Sequence, residues 1–245
     1  MSDVDLRAEQ YENCREAGRI LAQVRDEAAE RVEVGTNYLE LTEWVEERID
    51  ELGGNSAFPL NISVDHEAAH GAAGIDDDRT IGEEMVKLDI GVHIDGYGYN
   101  PVVNLTGHGL GHWDQHVSPN IPNREVSQGT ELDVGDVVAI EPFATDGTGK
   151  VSEGSQEEIY ALEREGTVRN RAARQALDQI TEEFRTLPFA TRWLDGSRPE
   201  MALRRLQRQD IVHGYPVLKE EDGRLVSQEE HTVIVTGDGC EVTTR

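Results

Sequence analysis

The chain has 245 residues, 49 acidic against 23 basic, for a net charge of −26. That length allows a sizeable core, in one α/β domain or two small ones. No run of eighteen apolar residues is present, which excludes a membrane-spanning helix, and the charge disfavours nonspecific nucleic-acid binding, which needs clustered Lys and Arg.

The acidic start, MSDVDLRAEQ, lacks the apolar core of a signal peptide, so a cytoplasmic location is expected. Cys14 and Cys240 are expected to be free thiols. The charge implies a salt-rich, halophilic cytoplasm: self-repulsion at this density opposes folding at low salt, and molar salt cuts the screening length to roughly 3 Å.

In chain order, residues 4 to 32 read as a long helix, with Leu6, Cys14, Ala17, Leu21, Val24 and Ala28 at helical spacing. Gly35-Thr36 offers a cap for a second helix marked by Leu41, Val45, Ile49 and Leu52, which Gly53-Gly54 ends. Asn61 to Val64 reads as a short strand, and Met85 to Ile94 as another, closed by a turn at Asp95-Gly96. Pro101 to Leu105 leads into the His-rich stretch Asn104 to His116. Gly135-Asp136 turns into a buried strand over Val137 to Ile140. Arg169 to Arg185 is helical, with Ala172, Ala176, Ile180 and Phe184 on one face, and Pro199 to Gln207 is a short helix with Pro in its first turn. Pro216 to Glu230 reads as a hairpin around Asp222-Gly223, and His231 to Val235 as the last strand. Two short helices followed by a hairpin suggest a winged-helix-like insert over residues 165 to 226, structural rather than DNA-reading, because Glu220, Glu221 and Asp222 oppose Arg204, Arg205 and Arg208.

The chemistry concentrates in NLTGHGLGHWDQH, residues 104 to 116, with His108, His112 and His116 among glycines. Glu141 ends an apolar strand, where a buried carboxylate needs a partner. Imidazole plus carboxylate is a ligand set for zinc, manganese, iron or cobalt. HEAAH at His66 to His70 matches the helical zincin pattern, but Gly71, Gly74 and Asp76-Asp77-Asp78 would stop a helix at once. Asp89, within MVKLDIGVHI, and Glu230, just before HTVIV, are two more carboxylates that need partners if buried.

Five stretches carry a resemblance: AFPLNISVDHEAAH at 57–70, VKLDIGVHIDGY at 86–97, NPVVNLTGHGLGHW at 100–113, VVAIEPFAT at 137–145 and EEHTVIV at 229–235. The chain resembles the archaeal-kind type II methionine aminopeptidases, members of the pita-bread metallohydrolases. The resemblance implies an α+β chain, residues 1–245 forming one catalytic domain, with a curved antiparallel sheet flanked by helices and the insert that marks type II. It implies removal of the initiator methionine before a small second residue. By position, Asp89 would chelate one metal, His108 and Glu141 the other, and Glu230 would bridge them. Glu141 would also handle the nucleophile's proton. His70 and His116 would contact the scissile amide and stabilise its tetrahedral intermediate, and Phe58 would line the methionine pocket. The implied cofactors are divalent cobalt, manganese, iron or zinc, two per chain in the family. The implied partners are peptide or nascent-protein N-termini and the ribosome, with no membrane or nucleic acid, for a monomer. The competing expectation is a pita-bread protein that has lost catalysis and binds nascent chains or ribosomes.

The chain departs from the family after Tyr97. The family's second, bridging aspartate has Asn100 in its place, and one strand and two helices are missing, on the order of 50 residues at ordinary element lengths. Asp95, in the turn, is expected to be out of reach. One metal is therefore expected here, on His108, Glu141 and Glu230, together with an apolar patch where the missing helices would lie.

Overall fold

A computed structural model describes residues 3–96, 106–123 and 126–245. Tyr97, Asn100 and the segment from Pro101 to Leu105 lie outside the described residues.

Helix α1 (Asp3–Ala29) and helix α2 (Tyr38–Glu51) pack together over the first core. Ile20, Val24, Leu41, Val45 and Ile49 meet there at 3.6-residue spacing, each nearly inaccessible. The cap of α2 is Asn37, whose side chain accepts from the Glu40 amide, and not the Gly35-Thr36 pair. Thr36 instead ties its own loop, donating to the Arg31 carbonyl. Helix α1 also lies close against the C-terminal segment: a Cβ on Gly18 would stand 2.1 Å from the Thr243 carbonyl oxygen.

The strands are β1 (Asn55–Ser56), β2 (Asn61–Val64), β3 (Glu67–Ala69), β4 (Val86–Asp89) and β5 (Val92–His93). After them come β6 (Thr106–Gly111), β7 (Asp114–Pro122), β8 (Val137–Ile140), β9 (Phe143–Thr145) and β10 (Ser152–Leu162). Helix α3 (Arg171–Gln179) runs into a π turn at Ile180–Phe184, and β11 (Phe189–Ala190) precedes helix α4 (Pro199–Gln207). The chain ends in β12 (Val212–Lys219), β13 (Val226–Gln228), β14 (His231–Thr236) and β15 (Gly239–Val242). All pairings are antiparallel, with main sheets in the order β15-β14-β8-β6-β7 and β11-β10-β12-β3.

Two readings of the sequence are corrected. The stretch from Met85 to Ile94 is not one strand: it breaks at Ile90-Gly91, so that β4 pairs with β2 and β5 with β1. Gly91 permits the break, since a Cβ there would lie 2.2 Å from the Phe58 ring. In the HEAAH stretch, where the sequence already argued against a helix, Glu67–Ala69 form β3, which pairs with β12. The arms on either side of Asp222-Gly223 do not form a hairpin. Both edges of β12 are taken by β10 and β3, so β13 pairs with β9 instead.

The helices α3 and α4 share a second core with β10 and β12, centred on Ile180, Phe189, Leu203 and Leu206. On β8, Ile140 is 41% exposed, whereas Val138 is inaccessible. Cys14 and Cys240 are free. No described helix is long and apolar enough to cross a membrane.

Candidate metal centre

Sheet register builds the site. His108 on β6 faces Ala139 on β8, and Glu141 follows two residues later, on the same face and diagonal to the imidazole. His231 on β14 faces Ile140, which sets Glu230 beside Glu141. Asp89 ends β4, opposite Asn61.

His108 and Glu141 are both almost fully buried, 2% and 1% exposed, with Nε2 and Oε1 3.3 Å apart. The His108 Nδ1 lies 2.9 Å from the Gly109 carbonyl. A carbonyl only accepts, so Nδ1 carries the proton and the Nε2 lone pair faces the carboxylate. Among the described residues neither Glu141 oxygen has a hydrogen-bond donor, nor does Oε1 of Glu230. Oε2 of Glu230 accepts from the Gln228 amide at 3.1 Å.

The charges register the crowding. Burial, then the charge of Glu141, pushes the half-buried Asp89 well above the usual carboxylate range. Burial, then Asp89 and Glu141, does the same to Glu230. Burial raises Glu141 to about 7, against the pull of His108. The Gln228 amide draws both Asp89 and Glu230 back. Three enclosed carboxylates and a lone pair, short of donors, are a donor set that fits a divalent cation. No group of three His, Cys, Asp or Glu among the described residues already has the closed geometry of an ion cage.

Two more histidines flank this set. The His116 and His108 rings meet edge-on, centroids 4.6 Å apart. His116 is open to solvent on one side, and the protein around it, then His108, holds its pKa below the usual imidazole range. His70 is nearly buried, with a backbone φ of 65°, and its Nδ1 donates to the Pro216 carbonyl at 3.0 Å. With Nδ1 engaged by Pro216, Nε2 is the ring nitrogen on the other side. Phe58 is buried with Leu187, Leu110 and Trp113, the last two on or beside the hairpin that carries His108 and His116. His66 stands 3.6 Å from Asp222, on the far side of the HEAAH strand's role.

Asp95 does not stand in for a further ligand. It lines a cavity of about 520 Å³ with His93, Trp113 and Trp193, and its carbonyl accepts from His112 Nε2 at 3.0 Å. Sequence reasoning missed Gln228 and the Pro216 carbonyl. Gln228 was within reach, because its spacing from Glu230 puts both on one face of an extended chain. Pro216 carried no signal, since a backbone acceptor is invisible in a sequence.

The model of metallopeptidase family M24 matches residues 12–100 and 97–173. The chain is 40% identical to a methionine aminopeptidase of Archaeoglobus fulgidus over 282 residues, covering 94% of this chain and 97% of that one. It is 36% identical to one of Methanocaldococcus jannaschii over 294 residues, covering 98% and 100%. Among solved structures it is similar to a thermophilic Arx1, with a TM-score of 0.84 at 14% identity over 99% of this chain and 91% of that one. It is also similar to a methionine aminopeptidase of Thermotoga maritima, with a TM-score of 0.65 at 17% identity over 97% of each.

Proposed function

The chain belongs to metallopeptidase family M24, alongside the methionine aminopeptidases, and from that membership we propose that it removes the N-terminal methionine from nascent proteins with a small second residue. The observation that carries the reading is the donor-starved meeting of His108 with Glu141, beside Glu230 and Asp89.

His108, Glu141 and Glu230 would hold the first divalent ion, and Asp89 would be a ligand of a second. Such an ion, when bound, polarises water and the peptide carbonyl. Glu141, with a pKa raised to about 7 before any cation arrives, takes the proton that the attacking water gives up. His70, as an acceptor at Nε2, receives the scissile amide N–H, while His116 donates to the developing oxyanion. Phe58 lines the methionine pocket with Leu110 and Trp113. Manganese, cobalt, iron and zinc all suit the imidazole and carboxylate donors.

The loss of about 50 residues after Tyr97 is part of this reading. Two observations support it: the family model matches in two pieces that meet at residues 97–100, and the relatives align over 282 and 294 residues against a chain of 245. Beside Asp89, a pocket of about 260 Å³ opens between β4 and the segment of Gln228 to Glu230. Among the described residues the edge of β4 away from β2 carries no strand. With one bridging charge fewer, the first ion would be held tightly and the second weakly.

Release of free methionine from a Met-Ala peptide, at high salt with manganese or cobalt, tests the activity. No release with any of the four metals would sink it, and cleavage of an Xaa-Pro peptide instead would move the chain to another specificity. Metal analysis of the purified protein tests the ligand set; two tightly held ions per chain would contradict it.

A further inference from the structure

Ten arginines and six carboxylates lie between Arg164 and Arg208, a net +4 inside a chain of net −26. The structure gathers four of these arginines. Arg169, Arg174, Arg205 and Arg208 line one open depression of about 690 Å³, where the start of α3 meets the end of α4, together with Thr167 and Asn170. All four arginines are exposed.

Six other arginines are neutralised. Arg15, Arg19, Arg25, Arg48, Arg79 and Arg192 each hold a carboxylate within 4 Å. Among the described residues no ion pair involves Arg169, Arg174, Arg205 or Arg208. The sequence set Glu220 to Asp222 against this group, but the fold engages those acids elsewhere. Glu220 accepts from Thr148 at 2.7 Å and from the Gly149 amide at 2.8 Å, and Asp222 lies by His66.

We infer that this α3–α4 face binds the phosphate backbone of RNA. Arginine forks match phosphate oxygens in pairs, which lysine cannot do, and there is no lysine in the segment. The depression lacks an exposed apolar anchor: its apolar side chains, Val168 and Ala173, are buried beneath it. A protein partner needs such anchors at its hot spots. Thr167, Asn170 and Gln209 instead offer the polar contacts with which phosphate and sugar are held in place. The acidic remainder of the surface confines RNA to this face. The inference is independent of the peptidase reading, because it uses no residue of the metal centre.

The test is fluorescence anisotropy of a labelled single-stranded RNA of about 12 nucleotides, with the metal-free full chain, from about 0.2 to about 1 M KCl. The expected log–log salt slope is about −3, for four contacts at ~0.7 each. The variant carrying Arg169→Gln, Arg174→Gln, Arg205→Gln and Arg208→Gln should bind at least about 10-fold more weakly, with a slope near zero. Arg15→Gln with Arg19→Gln should change nothing. Methionine release from a dipeptide, measured separately, reports that the variants are folded; the two double variants, 169/174 and 205/208, replace the quadruple one if it is not, and each should lose part of the slope. RNA binding that survives these changes, polyglutamate bound as tightly as RNA, or no RNA binding at about 0.2 M KCl overturns the inference.

Discussion

His108 Nε2 and Glu141 Oε1 face each other across 3.3 Å, with the Nδ1 proton of the imidazole committed to the Gly109 carbonyl. Once Glu141 is ionised, two acceptors this close in a buried place repel, and a cation would turn that repulsion into ligation.

Glu141→Gln therefore has effects of opposite sign. Without metal the variant should be more stable than the parent, since a buried charge becomes a neutral amide that can donate toward His108. With metal, the stabilisation on adding manganese should vanish, and activity should fall by more than about 100-fold through loss of a ligand and of the proton acceptor. Thermal denaturation with and without metal checks both halves. A variant that is less stable in the metal-free form and still gains from manganese would contradict the assignment.

The same crowding sets a pH dependence for the metal-free protein. Glu141, Asp89 and Glu230 have folded pKa values above their unfolded ones, so the folded state binds the extra protons. Stability is then intact below about pH 4.5 as far as these groups are concerned, and declines as pH rises toward about 7, where Glu141 ionises. For Glu141 alone the loss is on the order of 3 kcal/mol. Metal affinity runs the other way, rising through the same window as the ligands deprotonate. Denaturant midpoints and titration calorimetry at pH 5 and pH 8 should move in opposite directions.

Gln228 holds Glu230 at 3.1 Å and draws Asp89 and Glu230 back from their raised pKa values. Gln228→Leu removes that donor without changing any ligand. Metal affinity should fall by about 10 to 100-fold, the usual cost of losing a group that orients ligands. Affinity within a factor of about two of the parent would mean that Gln228 only fills space.

Gly91→Ala tests the link between the strand break and the methionine pocket. The new methyl would meet the Phe58 ring at 2.2 Å, and the ring is already packed against Leu187 and Trp113. A loss of about 1–3 kcal/mol is expected from overpacking, with a raised KM for Met-Ala as Phe58 shifts. Adding Phe58→Leu should recover stability but not KM.

What the sequence made legible was local. Leu41, Val45 and Ile49 declare α2 by spacing, Pro199 opens α4, and Asn61 to Val64 stands as read. What it hid was partner choice. The Asp222-Gly223 turn is a local signal, but both edges of β12 were already taken. The long strand β10 escaped notice because its first part, SEGSQEE, has no apolar side chain and is nowhere buried, and only Ile159 to Ala161 are buried. The carboxylates at strand ends suggested metal chemistry unaided, whereas their roles rested on family resemblance. The sequence set Glu220, Glu221 and Asp222 against Arg204, Arg205 and Arg208 by closeness along the chain, whereas the fold engages Glu220 at Thr148 and Gly149 and Asp222 beside His66.

The charge makes the last prediction, that the fold is salt-dependent. Even if each of the 23 basic residues paired with an acid, 26 carboxylates would remain uncompensated. Screening has two effects. It weakens exposed ion pairs such as Arg15–Glu241 and Arg48–Glu27, each worth about 0.2–1 kcal/mol. It also removes the repulsion among the surplus carboxylates, which acts between many more pairs and over longer distances. Repulsion should dominate, so raising KCl from about 0.1 to about 1 M should raise Tm by more than about 5 °C. Sucrose at matched osmolality should reproduce only a small part of the gain, because it excludes itself from the surface without screening charge. If sucrose does as well as KCl, or if KCl leaves Tm unchanged, the acidic surface is a solubility feature and not an adaptation to salt.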